Sequence, residues 1–490
     1  MTLPARLVAP LILALSAAPA MGQWSTATLS APRASIASAS VGQKAIFAGG
    51  FSAGVASNVV DIYDATSGVW TTAALSTARG GIGATTVGHK VYFAGGYVNS
   101  DQTGAVDTVD VYDDLTGAWS TLALPSVSQG RASIVGLTAG HMALFSRDSQ
   151  VDLLDTQTGI WTTAPGISYP IMTGAAIGTK AAFLTQGYLL LVYDADTGVW
   201  TVTSWGLASN DLPREGNAAA FAGNVFIGSG GERGCVFGGW QSDALTVFDD
   251  FDNGNATTGW LPSSRAYHAA ASTSNKAFFA GGRTVGCASS VWLASVDVYD
   301  SATGAWTTNS LSTPRGRLAA TTVGSLSLFA GGENDQGPSD VVDIYDESIG
   351  ATYCSPAVIN STGQSAAITA EGFPGSVAQG YVLLRASSLP PSALTLFLCS
   401  PTQGNATGPG GSQGTLCLGG AIGRFVGPGQ IGPSSAAGIA TLDVDLTQLP
   451  RPGGNLAAQV GETWNFQAWY RDVNPGPTSN FTDAISITFE

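Results

Sequence analysis

The sequence predicts an all-β chain of seven repeated four-stranded units followed by a smaller β-sandwich. Three observations lead there. A Tyr-Asp, turn glycine and Trp recur at fixed spacing, paired glycines recur upstream of them, and the composition is rich in glycine and poor in charge. The 490 residues are too many for one ordinary domain. Apolar residues make up 44%, enough for a sizeable core, whereas charged residues are only 11% and glycines number 64. Such a composition suits short strands and tight turns rather than long helices.

Each unit is read from its end backwards. Tyr63, Tyr112, Tyr193 and Tyr299 precede Trp70, Trp119, Trp200 and Trp306 by seven residues. Leu154 and Trp161 keep that spacing, Phe248 and Trp260 match it with five extra residues, and Tyr345 has Thr352 where Trp is expected. Between them runs a turn from Asp to Gly, such as Asp64 to Gly68. The Asp side chain caps it and the Gly supplies the positive φ that closes a hairpin.

Upstream lies an apolar strand ending in glycines, as in Phe47-Ala48-Gly49-Gly50, Phe93-Ala94-Gly95-Gly96, Phe279-Ala280-Gly281-Gly282 and Phe329-Ala330-Gly331-Gly332. Two units depart from this, with Ser146-Arg147 after Phe145 and a lone Gly187 after Phe183. Earlier still stands an arginine: Arg33, Arg79, Arg131, Arg214, Arg265 or Arg315. Arg33, Arg79, Arg265 and Arg315 are expected to satisfy backbone carbonyls between units.

Double glycine, Tyr-Asp, turn glycine and Trp at these spacings resemble the Kelch repeat over about residues 23–352. The resemblance, which extends to the central domain of galactose oxidase, implies a seven-bladed β-propeller around a central channel. Trp24 has no Tyr-Asp before it, and the last unit lacks its Trp. Trp24 to Leu29 is therefore expected to form the outer strand of the last blade. The alternative is that Ala351 to Ser355 completes it.

Residues 1–22 read as a signal peptide. Arg6 precedes an apolar stretch of 14 residues, Leu7 to Ala20, too short to span a bilayer comfortably, and Ala20-Met21-Gly22 offers a cleavage site. No later stretch reads as a transmembrane segment, so the expected location is secreted or cell-surface. Residues 353–490 continue with alternating strands and read as the β-sandwich. Gly411-Ser412-Gln413-Gly414, Cys417-Leu418-Gly419-Gly420 and Asn465 to Asp472 resemble a C-terminal domain of secreted planctomycete-type bacterial proteins, which implies export and no defined activity. The run Trp464, Phe466, Trp469, Tyr470 reads mostly as the core of one strand, with a sugar-stacking platform as the alternative.

The net charge of −15, with 19 Lys plus Arg and no basic cluster, argues against nucleic acid and against anionic membranes. The five cysteines are an odd number, so at least one has no partner within the chain. Cys235 and Cys287 occupy equivalent loops of adjacent units and are expected to form a disulfide. Cys399 and Cys417 are expected to close the Gly-rich loop between them, with Cys354 pairing to either as the alternative.

No catalytic residue, cofactor or metal is expected. His89 and His141 fall in turns and His268 near a strand start, where it is expected to pack inward. Copper radical oxidases of the Kelch type need two His, two Tyr and a Cys–Tyr crosslink, which these positions do not supply. Asp249, Asp250, Asp252, Asn253 and Asn255 are a weak Ca²⁺ candidate, centred on Asp250 and Asp252, against the alternative of an enlarged solvated turn.

Antiparallel pairing puts the Gly-Gly loops and the Arg-bearing loops on one face. That face carries Tyr97, Glu232, Arg233, Trp240, Arg283, Trp292, Glu333 and Asp335, aromatics beside charges that suit a glycan or a protein loop. The expectation is a non-catalytic binding protein whose partner is an extracellular glycan or surface protein. The alternatives are a sugar-active enzyme resembling Kelch mutarotases, which needs Arg, Glu and His at one channel mouth, or a structural cell-envelope component.

Overall fold

The computed structural model describes residues 23–125, 134–147, 149–164, 170–185, 189–204, 217–229, 244–250, 255–273, 275–285, 290–301, 303–373, 381–435, 438–474 and 476–489. The signal-peptide reading of residues 1–22 lies outside them. The described chain is all-β, with one 3-10 turn at Pro409–Gly411 and no α-helix. No described helix is long and apolar enough to cross a membrane.

Among the described residues, seven antiparallel four-stranded sheets come first. The first comprises Ala37–Val41, Lys44–Ala48, Val59–Asp64 and Val69–Ala74 in that order. Its buried apolar residues lie on the first three strands, and Ala45, Ile46, Phe47 and Ala48 are fully buried. The first strands of successive sheets touch in sequence order, and the first strand of the seventh sheet, Ala319–Val323, also touches that of the first, so contact is cyclic.

The recurring Tyr and Trp are direct cross-strand partners: Tyr63 faces Trp70, Tyr112 faces Trp119, and Tyr299 faces Trp306. Their ring centroids lie 5.0–5.2 Å apart, so each pair staples the outermost strand to the sheet. The strand Gln23–Thr28 supplies the missing member in the seventh sheet. It pairs with Val341–Asp346, and Trp24 stands opposite Tyr345 at a centroid distance of 5.1 Å. Thr352 instead faces Ile485, so Ala351–Tyr353 pairs within a following sheet and does not complete the seventh. The fifth sheet corrects a second expectation. Phe248 faces Ala256, and Trp260 faces Ala244, so Trp260 is not the counterpart of the other tryptophans.

The arginines are clips within sheets. Arg33, Arg79, Arg265 and Arg315 are fully buried and pair with Asp61, Asp110, Asp297 and Asp343, two residues before each Tyr. Arg315 also donates to the carbonyls of Phe329 (3.0 Å) and Gly331 (2.8 Å) in its own sheet. Burial pulls each guanidinium below its ordinary pKa and the Asp partner pulls it back up. Contact between sheets comes instead from the arginine's own carbonyl. Arg33 O accepts the Gly332 N–H (2.9 Å) of the seventh sheet, and Arg79 O accepts that of Gly50. The first glycine of each pair is needed here. A Cβ on Gly331 would lie 2.5 Å from Arg33 O, at a φ of +63°. The third sheet differs, in that Arg147 stands in place of the first glycine and pairs with Asp152. Arg131 and Arg214 lie outside the described residues.

Beyond residue 350, two sheets share one core. One contains Ala351–Tyr353, Pro477–Thr488, Thr463–Val473, Leu394–Ser400, Gly423–Arg424 and Ile431–Pro433, and the other contains Ala367–Phe373, Tyr381–Ser387 and Ala440–Val444. Between them pack Trp464, Phe466 and Tyr470 with Ile368, Leu384 and Leu442. Three of the four clustered aromatics are therefore core residues, and Trp469 is half-buried under Arg471.

Cys354 is bonded to Cys417, which corrects the expected Cys399–Cys417 pairing. Cys399 lies in the inter-sheet core with its thiol donating to Pro450 O (3.4 Å), and burial pushes its pKa up to about 12. Cys417 sits on the hairpin Thr402–Thr407/Thr415–Gly419, where its carbonyl accepts the Tyr353 hydroxyl beside Cys354.

Asp483 ties the two sheets, its Oδ1 accepting the Ile368 N–H at 2.7 Å. Burial pushes its carboxyl up to about 6, against the opposing effect of that bond. The folded pKa thus exceeds the unfolded value of about 4, so the folded state holds the proton more tightly. The stability that this contributes is complete below pH ~4 and is lost as pH rises through ~6. Asp483→Asn keeps the acceptor and is expected to flatten the dependence of the urea midpoint on pH between about 4 and 7. An unchanged slope would assign it to other groups.

Candidate functional site

The loops that precede each first strand pair with the Gly-Gly loops. Isolated bridges join Ala34 to Phe51, Gly80 to Tyr97, Ala266 to Arg283, and Gly316 to Glu333. These loops surround a cavity of about 800 Å³ to which all seven sheets contribute, for example through Ile36, Ile82, Val135, Met172, Asn217, His268 and Leu318.

Backbone conformation aims the rim side chains. The residue just before the first-strand segment is left-handed in four sheets: Ser35 (φ 53°), Gly81 (φ 65°), Tyr267 (φ 57°) and Arg317 (φ 52°). Backbone bonds between neighbouring sheets hold this turn, Ser35 N–H to Arg317 O and Arg317 N–H to Tyr267 O, at 2.9 and 2.8 Å. A bulky Tyr at positive φ is a strained conformation, of the kind that persists at binding sites because its surroundings enforce it.

The result is a stack at the junction of the sixth and seventh sheets. The guanidinium carbons of Arg283 and Arg317 lie 4.9 and 5.0 Å from the Tyr267 ring centroid. Arg317 pairs with Glu333 at 2.9 Å, and Trp292 donates from Nε1 to Asp335 at 2.8 Å. Two cations and two carboxylates balance, so the stack presents aromatic and hydrogen-bonding surface without net charge. Tyr97 also lines the cavity, but it is buried and its backbone is bonded to Gly80.

His268 packs inward, as its spacing predicts, and it does so in the cavity wall. Its Nε2 lies 3.0 Å from the Ser229 hydroxyl. Burial, and then nearby Arg265, hold the imidazole well below its ordinary pKa, so it is neutral. His89 and His141 lie at the far strand ends, half-exposed beside Asp113 (3.6 Å) and Asp155 (3.9 Å).

Of the eight residues read as a binding face, the structure gathers Arg283, Trp292, Glu333 and Asp335 and places Tyr97 in the cavity wall. Glu232, Arg233 and Trp240 lie outside the described residues, as do Cys235, Cys287 and Asp252. Asp250 ends the strand Ala244–Asp250 and pairs with Asn255, the residues between them lying outside the described ones. Among the described residues, no group of three or more His, Cys, Asp or Glu could hold a metal ion. Sequence reasoning missed Tyr267, Arg317 and Asn217. The signal for the first two was their alignment with Ser35 and Gly81, where a large side chain has no packing reason to occur.

The family model of the Kelch motif matches residues 78–123, which run from Ala78, just before the second sheet's arginine clip, through that sheet's outermost strand. No curated protein matches the chain.

Proposed function

We propose that the chain is a secreted binding protein that holds a glycan at the mouth of its ring of sheets. In this reading the seven sheets are the blades of a closed Kelch-type β-propeller, and residues from about 350 onward form a separate β-sandwich domain. The observation that carries the reading is the cavity of about 800 Å³ shared by all seven sheets, with Tyr267 held between two arginines at its rim. A cavity of that size suits a sugar. An aromatic face beside planar cations and carboxylates stacks on the ring and bonds its hydroxyls. The Cys354–Cys417 disulfide is compatible with an oxidising compartment.

The test is a glycan-array screen of the chain from Gln23. Tyr267→Ala and Trp292→Ala are each expected to weaken a defined sugar signal by about tenfold or more while the chain still folds, equivalent to roughly 1.4 kcal/mol. Retention of the full signal in both variants would move the site away from this rim. A second reading, a sugar-active enzyme, is favoured by the placement of Arg317, Glu333 and His268 on one cavity. Turnover of a bound sugar, lost in Glu333→Gln, would decide for it.

A further inference from the structure

The register of the seven sheets defines one equivalent position in each, immediately before the residue that pairs with Ala48 or its counterpart: Ile36, Ile82, Ile134, Met172, Asn217, His268 and Leu318. Five are apolar. The two polar ones sit in adjacent sheets, the fifth and sixth, and both line the cavity. Each also has a buried atom without a hydrogen-bond partner among the described residues, Oδ1 of Asn217 and Nδ1 of His268. A fold that fills the other five positions with apolar side chains gains nothing in stability from leaving these atoms unpaired.

The wiring sets what they ask for. The Ser229 hydroxyl lies 3.4 Å from Ala218 O and 3.0 Å from His268 Nε2; with the hydroxyl donating to Ala218 O, the proton between Ser229 and His268 lies on Nε2. Nδ1 then presents a lone pair, and Asn217 Oδ1 is a second acceptor. Two acceptors side by side call for two donors on the ligand. A carboxylate or phosphate would be repelled by them, and an ammonium group would find no uncompensated carboxylate in the charge-balanced stack at the rim. Hydroxyl groups satisfy both conditions.

We propose that Asn217 and His268 form the specificity notch of the cavity and accept hydrogen bonds from two hydroxyls of an uncharged sugar or polyol. This rests on the reading of the mouth as a sugar site and narrows it to neutral ligands.

The test uses His268→Leu and Asn217→Ile, which install the residues that the equivalent positions already carry at Leu318, Ile36 and Ile82. The probes are the methyl glycosides of glucose, galactose and mannose, with galacturonic acid and glucosamine as charged counterparts, titrated calorimetrically into the whole chain. The expected result is binding of at least one neutral glycoside, at least about tenfold weaker binding of its charged counterpart, and a loss of about tenfold or more in each variant. The melting temperature of each variant is expected to hold or rise, because a buried unpaired group has been removed. Variants that bind like the parent chain, or a preference for the charged sugars, overturn the notch and leave the sugar site standing. A fall in melting temperature with binding unchanged does the same and makes the pair a packing feature. Failure of every sugar to bind overturns the site reading and the notch with it.

Discussion

Asp343→Ala is expected to cost about 3–5 kcal/mol of stability, enough to threaten folding of the whole chain. Arg315 is fully buried, and its ion pair with Asp343 is 2.7 Å long. Arginine cannot shed its proton at any accessible pH, so removing the carboxylate strands a charge in the interior. The Ser312 N–H, which Asp343 Oδ1 accepts at 2.9 Å, loses its partner as well. Asp343→Asn keeps that acceptor and should fall between the parent and the alanine variant. Urea titration followed by tryptophan fluorescence would measure all three. A loss below about 1 kcal/mol, the range of an exposed pair, would mean that water reaches this site. The same arithmetic applies at Asp61, Asp110 and Asp297, whose arginines are equally buried.

The second large effect is expected on removal of residues 23–28. That strand covers the outer edge of the seventh sheet along all six of its residues. Without it Val341–Asp346 exposes an unpaired row of backbone groups, and Tyr345 and Phe329 lose the Trp24 ring. An exposed edge of this kind promotes pairing between chains. The truncated chain is expected to melt at least several degrees lower and to self-associate at micromolar concentration. Trp24→Ala separates the two contributions, since it keeps the ladder and removes only the ring. It should cost about 2–4 kcal/mol without self-association, a half-buried Trp being worth less than a fully buried one. A monomeric truncation with an unchanged melting temperature would show that the seventh sheet is complete without its N-terminal strand.

Much of this was legible because the repeat encodes contacts that are local. Tyr63 and Trp70 face each other across one hairpin, so their spacing in the chain is the geometry itself. Gly49 and Gly50 signalled a close approach, and the approaching groups are the backbones of the next sheet and of the same sheet. The Trp missing near Thr352 and the surplus Trp24 pointed to each other for the same reason. What stayed hidden depended on distance or on exceptions. Arg33 and Asp61 are separated by 28 residues, and nothing but register brings them together. Trp260 imitated the motif although it stands opposite Ala244, four residues along the ladder from the Phe248–Ala256 pair. Cys399 and Cys417 flank one loop, but the first is packed between the two sheets and the second sits on a separate hairpin, so proximity in sequence misled. Tyr267 and Arg317 owe their importance to a backbone conformation that carries no residue signature except in Gly81.

The pairing of Trp24 with Tyr345 spans about 320 residues, and this separation governs the order of events as the chain is made. Gln23–Thr28 emerges long before the strand that it pairs with. Six sheets can form as local hairpins in turn while Gln23–Thr28 waits, and only the arrival of Val341–Asp346 lets the two ends of the sheet array meet. Contacts of such long range slow folding and leave an unpaired strand at large in the meantime. The Gln, Ser and Thr of that strand limit its apolar surface, with Trp24 its one large apolar side chain, while its lack of charge, Pro and Gly leaves its backbone open to wrong pairing during the wait.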